Sequence, residues 1–388
     1  MRKKLFWGFL IILISVPLFM WLAWLVTPNT RLVIAIIDKT VLTKKGQEHS
    51  SLNWVLNHEK YTKTSDKAYE VSSDYFGFFP EDDENFQLKG LERFSYPKLN
   101  RLSNDAELVY FTDTYGIYNN EWFKNGGINE RSGVLYGGLS DKDIYLLKQM
   151  KEKNKLIIAE FNTIGSPTTF KNRQNFEEMF KMKWTGWTAR YFDNLNIREN
   201  NEIPSWLIKN YKSTHGGAWP FKKEGIAFVN NKDEVVILEQ DTHLTESMPH
   251  INTRENYRKA YSLPERIKYP FWFDVIIPDE KINEAVSTFQ INANDNGLSL
   301  LKEKGIPVVF PAVLKHSGED YDFFYFSGDF ADNPVSLKSS CFKGIGFFEG
   351  LFYDERNIME RKSFFWKYYK PLLTHILEEY SSKRQNLP

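Results

Sequence analysis

Short apolar runs rich in β-branched residues recur along the chain and predict buried strands. The first three occupy residues 31–38, 107–113 and 156–160. Continuous apolar runs of this kind are typical of strands covered on both faces, as in parallel sheets. Helical patterns follow them, at residues 51–59, 140–153 and 169–183. Strands that alternate with helices predict βαβ units, and therefore an α/β fold with a mostly parallel sheet and helices on both faces.

After residue 183 the alternation of strand and helix patterns is interrupted, and it resumes nearer the C-terminus. Residues 184–275 are rich in tryptophan and carry short strand patterns around a polar loop at 230–233. We interpret this part as a β-rich, aromatic-rich insertion. Strand and helix patterns then alternate again, at residues 286–291, 294–304, 306–310, 322–326 and 363–380. The predicted units are an α/β first half at 31–183, the insertion at 184–275 and an α/β second half at 276–388.

The segment from Leu5 to Val26 carries no charge over 22 residues. A helix of that length would extend about 33 Å, which matches the thickness of a bilayer core and predicts a transmembrane helix. A cleaved signal peptide is the alternative, but the apolar run exceeds its usual length. Basic residues at positions 2–4 precede the run. The positive-inside rule then predicts a single-pass cell-membrane protein with residues 1–4 cytoplasmic and the bulk extracytoplasmic.

Charge and cysteine content exclude several classes of protein. Basic and acidic residues balance at 50 each, so nucleic acid is not expected as a partner. Cys341 is the single cysteine, which excludes an intramolecular disulfide and a multi-cysteine metal site. An α/β chain with one cysteine resembles class I glutamine amidotransferases in fold class. Their nucleophile lies in G-x-C-x-G, whereas Ser339 and Lys343 hold the glycine positions here, so Cys341 is predicted to be structural.

Polar residues end three of the predicted strands. Asp38, Asp113 and Glu160 are the last residues of these strands, and Asn162 follows closely. Because ligands of open parallel sheets bind beyond the carboxyl ends of the strands, the three acids are candidate catalytic residues and Asn162 a candidate ligand-binding residue. His49 could join Asp38 in the folded chain. Strand ends also meet water, which is by itself a sufficient reason for polar side chains there.

Polar residues around the predicted strand 322–326 form another candidate cluster. His316 and Asp322 are candidate ligand-binding residues, and Asp329 and Asp332 lie in an acidic turn after the strand. Such a carboxylate pair could act on a glycosidic or ester bond. Aspartates that cap a turn account for the same pattern.

Asp241 and His243 are candidate metal ligands. Residues two apart on a strand face the same side, which would let both side chains reach one metal ion. Solvated loop residues are the alternative interpretation. The sequence identifies no cofactor, since phosphate-loop, zinc-protease and nucleophile-elbow signatures are absent.

Two functions follow from these patterns. The first is a membrane-anchored extracytoplasmic domain that binds or organises cell-envelope material without a complete catalytic motif. The second is a membrane-tethered hydrolase or transferase that acts on envelope carbohydrate through the strand-end acids. The predicted partners are the lipid bilayer, through Leu5–Val26, and an envelope glycan or an envelope protein complex. The ligand and the oligomeric state do not follow from the sequence.

Overall fold

A ten-stranded sheet forms the main layer of the protein. The computed structural model describes residues 15–123 and 132–385. A four-stranded sheet and two two-stranded sheets accompany the main sheet. Over the described residues the chain is therefore a mixed α/β protein, as the alternation of strand and helix patterns predicts.

The strands are named in chain order. They are β1 (Thr30–Arg31), β2 (Ile34–Asp38), β3 (Tyr61–Thr62), β4 (Phe76–Pro80), β5 (Phe86–Leu88), β6 (Leu108–Asp113), β7 (Ile117–Tyr118), β8 (Val134–Tyr136), β9 (Leu156–Glu160), β10 (Met182–Phe192), β11 (Gly225–Asn230), β12 (Val235–Glu239), β13 (Leu244–Thr253), β14 (Arg266–Lys268), β15 (Phe273–Pro278), β16 (Asn283–Ala293), β17 (Val309–His316) and β18 (Phe323–Phe326).

The helices are named in the same way. They are α1 (15–26), α2 (Gln47–His58), α3 (Tyr96–Asp105), α4 (Asn119–Trp122), α5 (Asp141–Glu152), α6 (Phe170–Phe180), α7 (Ser205–Thr214), α8 (Glu255–Ala260), α9 (Asp295–Glu303), α10 (Lys362–Phe364) and α11 (Lys370–Gln385). A π-helical turn, Phe365–Tyr369, joins α10 to α11. Shorter 3-10 helices occupy Leu91–Arg93, Leu337–Cys341 and Ile345–Leu351.

The main sheet is parallel at its centre and antiparallel on both flanks. Its strand order is β14-β13-β16-β17-β18-β9-β6-β2-β4-β5. The strands from β18 to β4 pair in parallel, and the remaining neighbours pair antiparallel. The prediction of a mostly parallel sheet therefore holds for the central strands, whereas the whole sheet is mixed. β10, β11, β12 and β15 form the four-stranded sheet.

Helices cover both faces of the central strands. Trp54 of α2 and Leu372 of α11 belong to the core on one face, and both are fully buried. Leu146 of α5 and Phe176 of α6 belong to the core on the other face. Each such side chain contributes about 1.5–3 kcal/mol by leaving water. Coverage on both faces explains why β2, β6 and β9 are apolar without alternation.

The predicted insertion, residues 184–275, contributes to two sheets. β10, β11 and β12 lie in the four-stranded sheet, whereas β13 and β14 form one end of the main sheet. The segment is β-rich, as its sequence pattern suggests. The boundaries of the predicted units, 31–183, 184–275 and 276–388, stay a prediction.

The predicted transmembrane helix over Leu5–Val26 requires correction. Among residues 15–123 and 132–385, no helix is both long enough and apolar enough to cross a bilayer. Residues 1–4, predicted to be cytoplasmic, and residues 5–14 lie outside the described residues. Helix α1, the described part of the predicted span, is about 18 Å long, whereas the hydrocarbon core of a bilayer is about 30 Å thick. The single-pass topology, the predicted orientation and the cell-membrane location are therefore not supported.

Helix α1 instead contacts other elements of the protein. Met20 packs against the main core, and its carbonyl oxygen accepts a hydrogen bond from the backbone N–H of Lys343 at 3.1 Å. The indole of Trp24 donates to the carbonyl oxygen of Asn57 at 3.0 Å. One face of α1 is thus used for packing within the chain.

Candidate functional site

The parallel strands bring acidic side chains to one edge of the main sheet. β2 ends at Asp38, β6 at Asp113 and β9 at Glu160. Asp329 follows the end of the adjacent strand β18. Because these strands run in the same direction, their carboxyl ends meet at one edge. Glu48 joins them from the first turn of α2, which leads away from the loop after β2.

Asp38 is fully buried, and its carboxyl group contacts Thr40 and His49. The backbone N–H of Thr40 donates to one carboxylate oxygen at 3.0 Å. His49 Nδ1 lies 2.5 Å from the other oxygen. His49 Nε2 donates to the carbonyl oxygen of Val71 at 2.7 Å. Both ring nitrogens are therefore engaged, so His49 fixes the position of the Asp38 side chain.

β4 approaches Asp38 closely because it carries a glycine at the point of contact. Gly77 pairs with Asp38 in the sheet. A Cβ atom at Gly77 would lie 1.6 Å from the carbonyl oxygen of Asp38. No side chain fits that space, so a residue other than glycine would push β4 away from the acidic edge.

Asp113 lies beside Asp38 in a nearly buried position. It is 5% exposed, and burial raises the pKa of its carboxyl well above the usual value, with further contributions from Asp329 and Asp38. The backbone N–H of Tyr115 donates to one oxygen at 2.6 Å. Asn162 Nδ2 lies 3.4 Å from the other oxygen. The predicted ligand-binding residue Asn162 thus lies at the same edge as the acids.

Glu160 is buried beneath the acidic edge, and its carboxyl group is hydrogen-bonded to the loop after β18. It is fully buried. One oxygen accepts hydrogen bonds from the backbone N–H groups of Phe330 and Ala331, both at 2.9 Å, and the other accepts from the hydroxyl of Tyr110. Burial raises the pKa of Glu160 well above its usual value. With these donors in place, Glu160 positions the loop that carries Asp329 and is not available to a substrate.

Three carboxylates converge where this loop meets α2. Oxygen atoms of Glu48, Asp329 and Asp332 all lie within 4.8 Å of one another. The guanidinium of Arg361 donates to Asp332 at 2.6 Å and to Asp329 at 3.0 Å. Gln47 Nε2 donates to the second oxygen of Asp332 at 2.7 Å. We call Glu48, Asp329, Asp332 and Arg361 the carboxylate cluster.

Burial and mutual repulsion keep protons on the carboxylate cluster. Burial, followed by the charge of Asp332, raises the pKa of Asp329 to about 7 against the opposing effect of Arg361. Burial and the neighbouring Asp332 and Asp329 raise the pKa of Glu48 well above its usual value. The side chains of Asp329 and Asp332 are 16% and 10% exposed. The cluster therefore reaches the surface and can hold and release a proton near neutral pH.

The spacing of the three carboxylates also suits a divalent cation. Arg361, however, already donates to two of them, and a guanidinium provides the same countercharge. The arrangement therefore favours proton chemistry over cation binding at this edge.

His316 and Asp322 do not join the acidic edge. β17 runs antiparallel to β18, so His316, at the end of β17, and Asp322, just before β18, lie at the opposite edge. His316 Nε2 contacts Asp320 at 2.6 Å, and Asp322 pairs with Lys383 at 3.1 Å. The structure separates these two predicted ligand-binding residues from Asp329 and Asp332.

Asp241 and His243 also lie away from the acidic edge. β12 ends at Glu239, so both residues lie in the turn that follows it. The prediction that they lie on one strand is wrong. Asp241 has a φ of 66° and pairs with Lys223 at 2.8 Å. His243 Nδ1 accepts a hydrogen bond from the backbone N–H of Glu239 at 3.2 Å. Neither contact indicates a shared metal ion.

Sequence reasoning missed two members of the carboxylate cluster. Glu48 was missed because the pattern predicts that α2 begins at residue 51, whereas it begins at Gln47. The βα order was the usable signal, since the first turn of a helix after a parallel strand lies near the carboxyl edge of the sheet. Arg361 is 29 residues away from Asp332 in sequence, and no local pattern indicates their contact.

A cavity away from the carboxylate cluster is a further candidate site. It has a volume of about 800 Å³ and lies between α7, β12 and α9, where Tyr211, Phe221 and Ile237 are part of its lining. Glu234 and Lys304 at its wall pair with each other at 2.7 Å. The carboxylate cluster is the better candidate because its titratable groups converge and carry raised pKa values.

These features define the chain as a mixed α/β protein with a carboxylate cluster at the ends of its central parallel strands. No family model matches the chain, and no curated protein sequence matches it. It is structurally similar to a ThuA-like protein from Parabacteroides merdae, with a TM-score of 0.35, 10% identity and coverage of 77% of this chain and 79% of the other.

Two further solved structures show similar values. A ThuA-like protein from Bacteroides uniformis has a TM-score of 0.35 and 9% identity over 81% of this chain and 89% of the other. The carbohydrate deacetylase Agd3 has a TM-score of 0.31 and 8% identity over 77% of this chain and 29% of the other. At these values the similarity carries no argument about function.

Proposed function

We propose that the chain is a hydrolase or transferase that cleaves a C–O bond in a hydroxyl-rich substrate of the carbohydrate class. The observation that carries the proposal is the position of Glu48 and Asp329. Their carboxyl oxygens lie within 4.8 Å of each other, and both groups have raised pKa values. Neighbouring carboxyl groups with raised pKa values can be protonated and ionised side by side near neutral pH, which is what acid and base need to act together.

The proposed chemistry assigns one role to each member of the cluster. The protonated carboxyl of the Glu48–Asp329 pair donates its proton to the leaving oxygen as the C–O bond breaks. The ionised partner removes a proton from water or from an acceptor hydroxyl, whose oxygen forms the new bond to carbon. Asp332, fixed by Arg361 and Gln47, accepts a hydrogen bond from a substrate hydroxyl. Carboxylates suit hydroxyl-rich substrates because they act as acceptors.

The test is turnover of nitrophenyl glycosides and nitrophenyl acyl esters by the full chain and by variants. Glu48→Gln and Asp329→Asn should each lower kcat by about 100-fold or more, since acid–base groups typically contribute 10²–10⁴. Asp241→Asn is the matched control, because Asp241 is 65% exposed and pairs with Lys223. It should turn over at the wild-type rate. Equal rates for all four proteins would contradict the proposal.

Binding without turnover is the second candidate function. The observation that favours it is the pairing of Arg361 with both Asp329 and Asp332, which fixes two carboxylates as hydrogen-bond acceptors. Calorimetric titration with oligosaccharides separates the two functions. A wild-type protein that binds an oligosaccharide, loses that binding in Asp332→Asn and shows no turnover would be a binding protein.

A further inference from the structure

A second cavity lies beside β4 and β5 at one end of the main sheet, and its lining contains no member of the carboxylate cluster. Its volume is about 500 Å³, and Ile34 and Phe76, the first residues of β2 and β4, lie on its wall. Phe76 pairs with Ile37 in the sheet, one residue before Asp38. Glu48, Asp329, Asp332 and Arg361 do not line the cavity, which is therefore a second site.

The rim of this cavity carries an excess of positive charge. Its lining contains the four cationic side chains of Lys63, Lys89, Arg93 and Lys98, and one carboxylate, that of Asp74. Asp74 pairs with Lys63 at 2.5 Å. Within residues 15–123 and 132–385, the other three cations form no ion pair with a carboxylate. The whole chain has a formal net charge of 0, so this concentration of charge is local.

Aromatic rings hold two of these cations in place. The ammonium of Lys89 lies 4.0 Å from the ring centroid of Phe79, and that of Lys98 lies 3.6 Å from the centroid of Phe94. A ring restricts the lysine without neutralising it, whereas a carboxylate would do both. The two ammonium groups are therefore partly ordered and still available to an anion. Because they are already restricted, they lose less conformational entropy when a ligand binds.

The walls of the cavity are largely aromatic. Tyr69, Tyr75, Phe76 and Phe94 contribute to them. The hydroxyl groups of both tyrosines are bonded to backbone carbonyl oxygens, at 2.7 Å and 2.8 Å, so their rings are fixed. A cavity of this size with apolar walls and a few charged groups has the usual character of a small-molecule site.

We propose that this cavity binds a small organic oxyanion, a phosphate or sulfate ester on a flat or apolar ring. The oxyanion contacts Lys89, Arg93 and Lys98, and the ring packs against the aromatic walls. Arg93 supplies the planar guanidinium that binds such oxyanions through two N–H groups. This site is independent of the function proposed for the carboxylate cluster.

Calorimetric titration of the full chain with phenyl phosphate, phenyl sulfate, inorganic phosphate and phenol tests the proposal. Wild-type protein should bind both phenyl esters more tightly than inorganic phosphate, and it should not bind phenol measurably. The double variant Arg93→Gln/Lys98→Gln should weaken binding of the esters by about tenfold, since each exposed charge pair contributes a few-fold. Raising the salt concentration should also weaken binding of the esters by the wild type.

Lys142→Gln is the matched control. The ammonium of Lys142 also lies over an aromatic ring, that of Tyr96, at 3.1 Å, but Lys142 does not line the cavity. This variant should bind the esters as the wild type does. Absence of ester binding by the wild type, or equal binding by the double variant, would overturn the proposal. Failure of turnover at the carboxylate cluster would leave this result unaffected.

Discussion

Asp274 on β15 shows how surroundings alone change the chemistry of one side chain. It is fully buried, and its carboxylate accepts hydrogen bonds from the hydroxyls of Tyr325 at 2.7 Å and Thr188 at 3.2 Å. Among the residues that the structure describes, it has no cationic partner within ion-pair distance. Burial raises the pKa of Asp274 to about 7. The folded protein therefore binds a proton here that the unfolded chain releases above about pH 4.

The variant Asp274→Asn should remove a pH dependence of stability. Between about pH 4 and pH 7 the folded state binds more protons at Asp274 than the unfolded state, so its contribution to stability falls as pH rises. The free energy of unfolding of the wild type, relative to the variant, should fall by up to about 4 kcal/mol over that range. Urea denaturation of both proteins at pH 4.5 and pH 8 measures the change.

An exposed aspartate provides the control for this measurement. The side chain of Asp82 is 88% exposed, and Asp82→Asn should reproduce the pH profile of the wild type. If Asp274→Asn and wild type differ by the same amount at both pH values, Asp274 does not take up a proton on folding.

At the scale of elements, β9 and the loop after β18 form one unit through Glu160. A single carboxyl oxygen of Glu160 accepts hydrogen bonds from the backbone N–H groups of Phe330 and Ala331. These donors are buried with Glu160 and have no access to water as a substitute. The position of Asp329 and Asp332 therefore depends on a residue that does not itself face the carboxylate cluster.

Two substitutions at Glu160 should have different costs. Glu160→Gln keeps an oxygen that can accept from the loop, and burial already favours a neutral group there, so the free energy of unfolding should fall by only about 1 kcal/mol. Glu160→Ala leaves buried donors without an acceptor and should cost about 3–5 kcal/mol. Urea denaturation at pH 7 compares the two variants. Equal losses would show that the hydrogen bonds to the loop contribute nothing.

The sequence was most informative about elements whose burial dictates their composition. β2, β6 and β9 were predicted within three residues at either end, because strands covered on both faces must be apolar. β4 was missed, since its sequence of phenylalanines, glycine and proline resembles a loop. The helix predicted over 169–183 ends at Phe180, because Lys181 has a φ of 54° and β10 follows at once.

The candidate site was predictable only where strand order determines it. The positions of Asp38, Asp113 and Asp329 follow from parallel strands that end at one edge. Their immediate partners do not follow, because Arg361 comes from a distant segment through tertiary packing. Glu160 was predicted as catalytic, yet it lies in the interior and bonds to the loop, which a strand-end pattern cannot reveal.

At the scale of the whole molecule, Arg361 connects the C-terminal helical segment to the main sheet. Its guanidinium donates to Asp329 and Asp332 and lies 4.2 Å from the ring centroid of Phe271. The same residue precedes α10, which leads through the π-helical turn into α11. The packing of this segment and the charge balance of the carboxylate cluster therefore depend on each other.

The variant Arg361→Met should destabilise the protein in a pH-dependent way. Without the guanidinium, two nearly buried carboxylates lose their countercharge, which should cost about 3–5 kcal/mol at pH 8. The loss raises the carboxyl pKa values in the folded state, so the cost should be smaller at pH 5, where those groups take up protons. Thermal unfolding at both pH values measures the difference.

A surface arginine serves as the comparison for this variant. Arg356 is 91% exposed and pairs with Asp354 at 3.0 Å, so Arg356→Met should change the free energy of unfolding by less than about 1 kcal/mol. A pH-independent loss in Arg361→Met would mean that packing against Phe271, and not charge, accounts for the role of Arg361.

The place of β18 in the middle of the main sheet affects how the protein is synthesised. β18 pairs with β9, but more than 160 residues separate them along the chain. At typical elongation rates a ribosome needs roughly 10–30 s to produce that length. Throughout this interval β9 presents an unpaired apolar edge, the kind of edge that recruits strands from other nascent chains. The central place of β18 therefore leaves β9 open to pairing with strands of other chains until residue 326 has been synthesised.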